Sequence, residues 1–243
     1  MTSRLQRLGI VLVLFGIAFV AAGGYTAIKT QEGAKSLQAF SAAQNVKLAY
    51  NDQGQLVDHG TTEGATAIMS LLVNDWAYPV NTADLNPNDP LVNTASEYMY
   101  QMATITYHTL HAATTVTIPA DVVVDGKVVT AAGDYQFTNT GKYYTGFDRT
   151  NPVEGAARDK IWTGTAVALI GTLGVGTATA TAIQMGFGLA ALFALIGLTV
   201  VMTGLGLVWA TRAATEKVKV PVLGLTASRS SASDLGERAP AHS

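Results

Sequence analysis

Two stretches of the chain carry no charged residue, 8–28 and 161–211, and a long polar segment separates them. The first reads LGIVLVLFGIAFVAAGGYTAI, which matches the ~20 residues a helix needs to cross a hydrocarbon core. Arg4 and Arg7 lie just before it, so the positive-inside tendency puts residues 1–7 in the cytoplasm. A cleaved signal peptide ending near Val20-Ala21-Ala22 is the rival reading. The apolar run is long for that role, which favours a retained anchor.

The second stretch is long enough for two spans, but its halves differ. Residues 186–211 are dense in Leu, Ile, Val, Phe and Ala, whereas Thr163, Thr165, Thr172, Thr177, Thr179 and Thr181 dilute residues 162–184. Arg212, Lys217 and Lys219 follow, opposed only by Glu216, which places the C-terminus in the cytoplasm as well. Two cytoplasmic ends require an even number of crossings. The expectation is therefore two transmembrane helices, 8–28 and 186–211, with 159–185 an apolar Thr/Gly-rich helix leading to the membrane. A three-span hairpin with the tail outside is the alternative. Residues 212–243 turn polar without an apolar period and read as a disordered cytoplasmic tail.

Small residues recur every seven positions in both spans: Gly9, Gly16 and Gly23 in the first, Ala190, Gly197 and Gly204 in the second. Seven residues return nearly to the same helix face. In lipid, where apolar burial no longer drives association, such a seam lets backbones approach and pack. The spacing predicts helix packing of the two spans on each other or on a partner.

The intervening segment, 29–158, changes period several times. Residues 46–58 read as two short strands about the Asn51-Asp52-Gln53-Gly54 turn. Thr61 or Thr62 then caps a helix carrying Ile68, Leu71, Leu72 and Trp76, closed by Pro79. Thr94 and Glu97 match a capping box opening a helix to about Ala112. Its apolar side holds Tyr98, Met99, Met102, Ala103, Thr106 and Leu110; Glu97, Gln101, Thr104, His108 and His111 fall opposite. Val122–Val124 and Val128-Val129 flank Asp125-Gly126, a hairpin signal. Tyr135-Gln136-Phe137 and Tyr143-Tyr144 about Asn139-Thr140-Gly141 suggest a second hairpin. The fold class expected is α+β: two transmembrane helices flanking an extracytoplasmic domain with helices and an antiparallel sheet of four to six strands. From Glu154 a helix is expected to run on into the membrane.

Composition sharpens this picture in two ways. Mean hydropathy is +0.27 and charged residues make up 13%, a deficit concentrated in the two uncharged stretches. Between Lys29 and Lys160 stand eight basic and fourteen acidic residues, an acidic balance that argues against nucleic acid as a partner. The absence of cysteine excludes disulfides, thiolate metal sites and a lipidated-cysteine anchor.

Candidate chemistry is sparse. His108 and His111 project from one helix face and could share a metal, with His59 or a carboxylate as third ligand. Met69, Met99 and Met102 near these histidines raise copper, but the two helix methionines lie on the other side and read as packing. Asp84 to Asp89 echoes the opening of a calcium loop, yet it lacks the glycine at its sixth position and has Ala95 at its twelfth. Nucleophile-elbow and phosphate-loop motifs are absent. No cofactor is expected.

Asn88-Asp89-Pro90, the run from Ser96 to Met102, Tyr107 to Leu110, Trp162-Thr163-Gly164 and the Gly/Leu-rich second span together resemble a family. It is the family of uncharacterised two-span membrane proteins of high-GC Gram-positive bacteria, and the resemblance covers most of residues 1–211. It implies helix, external domain, helix, and no particular chemistry. Some similar proteins carry an aromatic ring-opening dioxygenase label. The residues give it no support, because that chemistry wants two histidines and a carboxylate inside a closed core.

These readings point to a non-enzymatic protein of the plasma membrane and bacterial envelope, both termini cytoplasmic and the central domain outside. It would be a scaffold or accessory subunit of a membrane complex, with lipid and a membrane protein or a second copy as partners. An extracytoplasmic hydrolase, and a metal-binding or sensing module using His108 and His111, are the alternatives.

Overall fold

The structure, a computed structural model, describes residues 2–218, with side chains over residues 3–213. Among the described residues it is α+β: two long apolar helices, three shorter α-helices and four strands. Contacts divide the chain into two compact units, Met1–Ala27 with Leu189–Ser243, and Ile28–Gly188. Helix α1 (Thr2–Gln44) and helix α5 (Gly164–Val218) each contribute to both.

Helix α5 carries the Thr/Gly-rich residues and the second apolar stretch as one continuous element. The Thr-rich residues do not interrupt it, because Thr172, Thr177 and Thr179 donate back to the carbonyls of Ala168, Leu173 and Val175 at 2.9–3.1 Å, so the hydroxyls are satisfied within the helix. An unbroken helix offers no reversal for a three-span hairpin. The first residues assigned to the irregular tail, 212–218, are the last turns of α5; residues 219–243 lie outside the described residues.

Nor does the helix starting near Glu154 run on. Helix α4 (Pro152–Ile161) stops where Trp162 leaves helical geometry. Thr163 Oγ1 then accepts from Ala166 N at 3.1 Å, capping the start of α5.

Within the Ile28–Gly188 unit, two apolar cores form. The first gathers Leu48, Ile68, Leu72, Val92, Tyr98, Ala103 and Leu173. Helix α2 (Thr62–Ser70) is capped by Thr61, continues through a π turn (Leu71–Asp75), and ends at Trp76, short of Pro79. Helix α3 (Ala95–Leu110) begins at the predicted capping box and packs on residues of α1 and α5. Ser41 Oγ and Tyr98 Oη are hydrogen-bonded at 2.7 Å, and a Cβ at Gly176 would fall 2.6 Å from the Tyr98 ring. Glycine is what lets that ring come so close to α5. Glu97, expected on an outward face, is only 1% exposed. Helix α3 has both faces covered, because the chain wraps round it, and periodicity alone reads only one.

The second core holds Leu71, Leu110, Val116, Ile118, Phe147, Ala157, Ile161 and Trp162. It rests on strand β1 (Ala113–Ile118), which pairs antiparallel with β4 (Gly133–Thr138), Ala113 opposite Thr138. Strands β2 (Val122–Val124) and β3 (Lys127–Thr130) form a separate hairpin turning at Asp125-Gly126, both with positive φ. The sheet of four to six strands is thus two pairs. The 46–58 segment keeps its turn but forms only isolated bridges, Lys47 to Leu91, Tyr50 to Leu56 and Asp58 to Thr61. The expected second hairpin about Asn139 is absent. Tyr144–Gly146 is a 3-10 turn, and β4 has found β1 instead.

Asn139 supplies the reason. Almost fully buried, its amide donates to the carbonyls of Thr109 and Lys142 and accepts from Lys142 N. It ties the end of β4 to the end of α3. Asn139→Ala should leave Lys142 N without its acceptor and the Thr109 and Lys142 carbonyls with one donor fewer, and cost about 2 kcal/mol, read as a lower midpoint in thermal unfolding; an unchanged midpoint would refute the tie.

Candidate functional sites

The first site is the contact between α1 and α5 in the Met1–Ala27 and Leu189–Ser243 unit. A Cβ at Gly9 would lie 2.8 Å from the Gly204 carbonyl oxygen, one at Gly16 2.6 Å from that of Gly197, and one at Gly23 2.9 Å from that of Ala190. Each seven-residue step along α1 meets a seven-residue step back along α5, so the helices are antiparallel. The relation is reciprocal, since a Cβ at Gly197 would lie 2.7 Å from the Gly16 oxygen. Each glycine thus turns a Cα–H toward a carbonyl of the other helix, a weak contact that adds to dispersion.

Valines complete the seam. The nearest side-chain atoms to the missing Cβ groups are Cγ2 of Val208 at Gly9, Val201 at Gly16, Val20 at Gly197 and Val13 at Gly204. In sequence this is Gly-x-x-x-Val, twice on each helix: Gly9/Val13, Gly16/Val20, Gly197/Val201 and Gly204/Val208. Reading small residues alone missed it, although the four-residue offset puts each stiff valine beside its glycine. Away from the seam, large apolar side chains point outward, among them Leu14, Phe15, Leu195, Met202 and Trp209.

The second site lies in the Ile28–Gly188 unit. Asp58, His59, Gly60 and Thr61 make a two-residue turn closed by reciprocal backbone bonds between Asp58 and Thr61, both 2.9 Å. His59 and Gly60 have φ of 47° and 79°, as a type I′ turn demands. Thr61 Oγ1 donates to the Asp58 carbonyl and accepts from Gly64 N, which fastens the turn to the start of α2. A Cβ at Gly64 would stand 3.1 Å from Asp58 Oδ2, so that glycine makes room for the carboxylate at some cost in helix propensity.

Helix α3 brings His108 to the same place. His108 Nε2 donates to Asp58 Oδ1 at 3.0 Å, and the His59 ring lies over the His108 ring at 4.6 Å between centroids. Behind them Tyr100 is buried, and its hydroxyl has no hydrogen-bond partner. Burial, then the Asp58 charge, pushes its phenol above the ordinary value, keeping it protonated.

The cluster differs from the pair read in the sequence. His111 sits at the end of α3 with Nδ1 donating to the Tyr107 carbonyl at 2.8 Å and its ring against Tyr107. It is spent on closing the helix, while His108 turns to Asp58 and His59. Only the pairing of α3 with a turn fifty residues earlier could reveal that. Met99 and Met102 help line an apolar hollow of about 330 Å³ with Trp76, Tyr143, Trp162 and Ile170, as core-facing methionines do. In the Asp84–Asp89 stretch, Asp84 Oδ1 accepts from Asn81 Nδ2 and Asn86 Oδ1 accepts from Asn88 N, both turn bonds.

No family model matches the chain, and no curated protein or solved structure matches it either.

Proposed function

We propose that the chain is a membrane-anchored envelope protein, α1 and α5 crossing the bilayer as an antiparallel pair, and that it serves as a non-enzymatic scaffold or accessory subunit. The carrying observation is the inversion of polarity in that pair: glycines inside the seam, Leu, Ile, Phe, Met and Trp outside. In water such a surface far exceeds what a soluble protein exposes; in lipid, small residues at the contact and large apolar ones around it are what packing requires. Both helices carry windows of mean hydropathy 2.3 that are only 17% and 11% buried, unlike the core helices of a soluble fold.

Charge supports the orientation. The antiparallel register carries Arg4 and Arg7 to the end of the pair where Arg212 stands, so both basic flanks fit the cytoplasmic side and residues between the spans face outward. Outside the seam, the β2–β3 hairpin exposes Val123, Val124, Val128 and Val129, an apolar surface suited to a partner protein.

The absence of cysteine makes the test clean. In Asp52→Cys, a membrane-impermeant maleimide should label intact cells, whereas Ser3→Cys should be labelled only after lysis. The full chain should stay in the membrane pellet through alkaline carbonate. The reverse labelling would overturn the topology, and recovery in the supernatant without detergent would overturn the membrane reading.

A further inference from the structure

We propose that Asp58, His59 and His108 form a binding site for a divalent transition-metal ion of the zinc class. The inference is independent of the membrane reading, because all three residues lie in the Ile28–Gly188 unit.

The donor set is two imidazoles and one carboxylate, a combination that suits zinc and its neighbours. The three ligand atoms already lie within 4.8 Å of one another, and two of them, His108 Nε2 and Asp58 Oδ1, are 3.0 Å apart. Metal–ligand bonds near 2 Å place tetrahedral neighbours about 3.3 Å apart. That pair therefore already has nearly the required spacing, and on binding the ion takes the place of the proton that His108 Nε2 donates, which passes to Nδ1 or to solvent. The His59 side chain is 82% exposed and can swing in by rotation about its own bonds.

Two features distinguish the cluster from a chance surface pair. Its supports are rigid: Asp58 and His59 sit on a turn closed by two backbone bonds, and His108 sits on a packed helix, so little ordering remains to oppose binding. The turn also carries a histidine where its geometry asks only for a residue that tolerates positive φ. A type I′ turn is best served by Asn-Gly, and His59 takes the asparagine position. The hydrogen bond of His108 to Asp58 explains two of the three residues; a shared cation explains His59 as well. With three protein ligands, a fourth position stays open to water or to a donor from another molecule.

This geometry makes one substitution decisive. His59→Asn removes the imidazole while giving the turn its preferred residue, so the metal-free protein should unfold at the same temperature as wild type or higher. Zinc titrated calorimetrically into the full chain in detergent should bind one ion per chain. His59→Asn and Asp58→Asn should each weaken that binding at least about tenfold, and zinc should raise the unfolding temperature of either by less than it raises that of wild type. His111→Ala should bind as wild type does. The proposal is overturned if wild type takes up no zinc, if His59→Asn binds it undiminished, or if binding is lost in His111→Ala.

Discussion

Gly16→Leu will separate the helix pair. The new Cβ would stand 2.6 Å from the Gly197 carbonyl oxygen, and its neighbours there are backbone atoms and a stiff valine. No flexible side chain can yield, so the two backbones must part by about 0.8 Å to restore ordinary contact. Parting them loosens the contacts at Gly9 and Gly23 on either side, because all three lie on one seam. The expected loss is about 3 kcal/mol, high in the range for overpacked sites, or about 10 °C in the unfolding midpoint of the detergent-solubilised chain. Gly197→Leu should cost as much. Even alanine should destabilise at either position, since the clash begins at Cβ. Gly24 and Gly206 have open space where a Cβ would go, so Gly24→Ala and Gly206→Ala should be harmless or slightly stabilising through helix propensity. Equal behaviour of Gly16→Ala and Gly24→Ala would mean that the seam is not a contact.

The second large effect belongs to Glu97. Its Oε2 accepts from Asn93 N, Thr94 N and Thr94 Oγ1 at 2.8–3.0 Å, at the entrance to the most enclosed helix of the unit. Glu97→Ala removes the shared acceptor and leaves two backbone N–H groups without it, a loss of about 3 kcal/mol. Glu97→Gln keeps an acceptor and discards the buried charge, so it should be nearly neutral at pH 7. Burial raises the Glu97 carboxyl above its ordinary value, against the opposing pull of its hydrogen bonds. The folded state therefore holds this proton more tightly than the unfolded chain does. Its contribution to stability is complete below the unfolded pKa and declines as pH rises through the folded one. Glu154 acts in the opposite sense. The hydrogen bond from Lys142 lowers its carboxyl, so its contribution is present above the unfolded pKa and declines as pH falls through the folded one. Unfolding midpoints measured across the acid range should accordingly fall less with rising pH in Glu97→Gln than in wild type. Parallel curves for the two proteins would refute the role given to the Glu97 charge.

What was legible along the chain follows the reach of each interaction. The cap at Thr94 and Glu97 spans three residues, and the Asp125-Gly126 turn spans two; both are local steric and hydrogen-bonding choices that a short window contains. The pairing of β1 with β4 is not of that kind. A complete hairpin intervenes, and the nearer turn at Asn139 offered a plausible false partner. Asn139 is polar, as turn residues are, but its amide is buried at the end of α3, which no local pattern announces. Trp162 likewise breaks a run of residues that composition alone would continue as one helix.

By itself, the sequence determined the α+β class, the two long apolar helices, the caps, the β2–β3 hairpin and the seven-residue recurrence of small residues. Each is written into neighbouring positions by periodicity or turn chemistry. Tertiary structure alone decided which carbonyl each glycine faces, that Glu97 lies inside and that His108 meets His59 and Asp58 while His111 does not. Those outcomes depend on distances between residues far apart in the chain, which packing sets and no local window encodes.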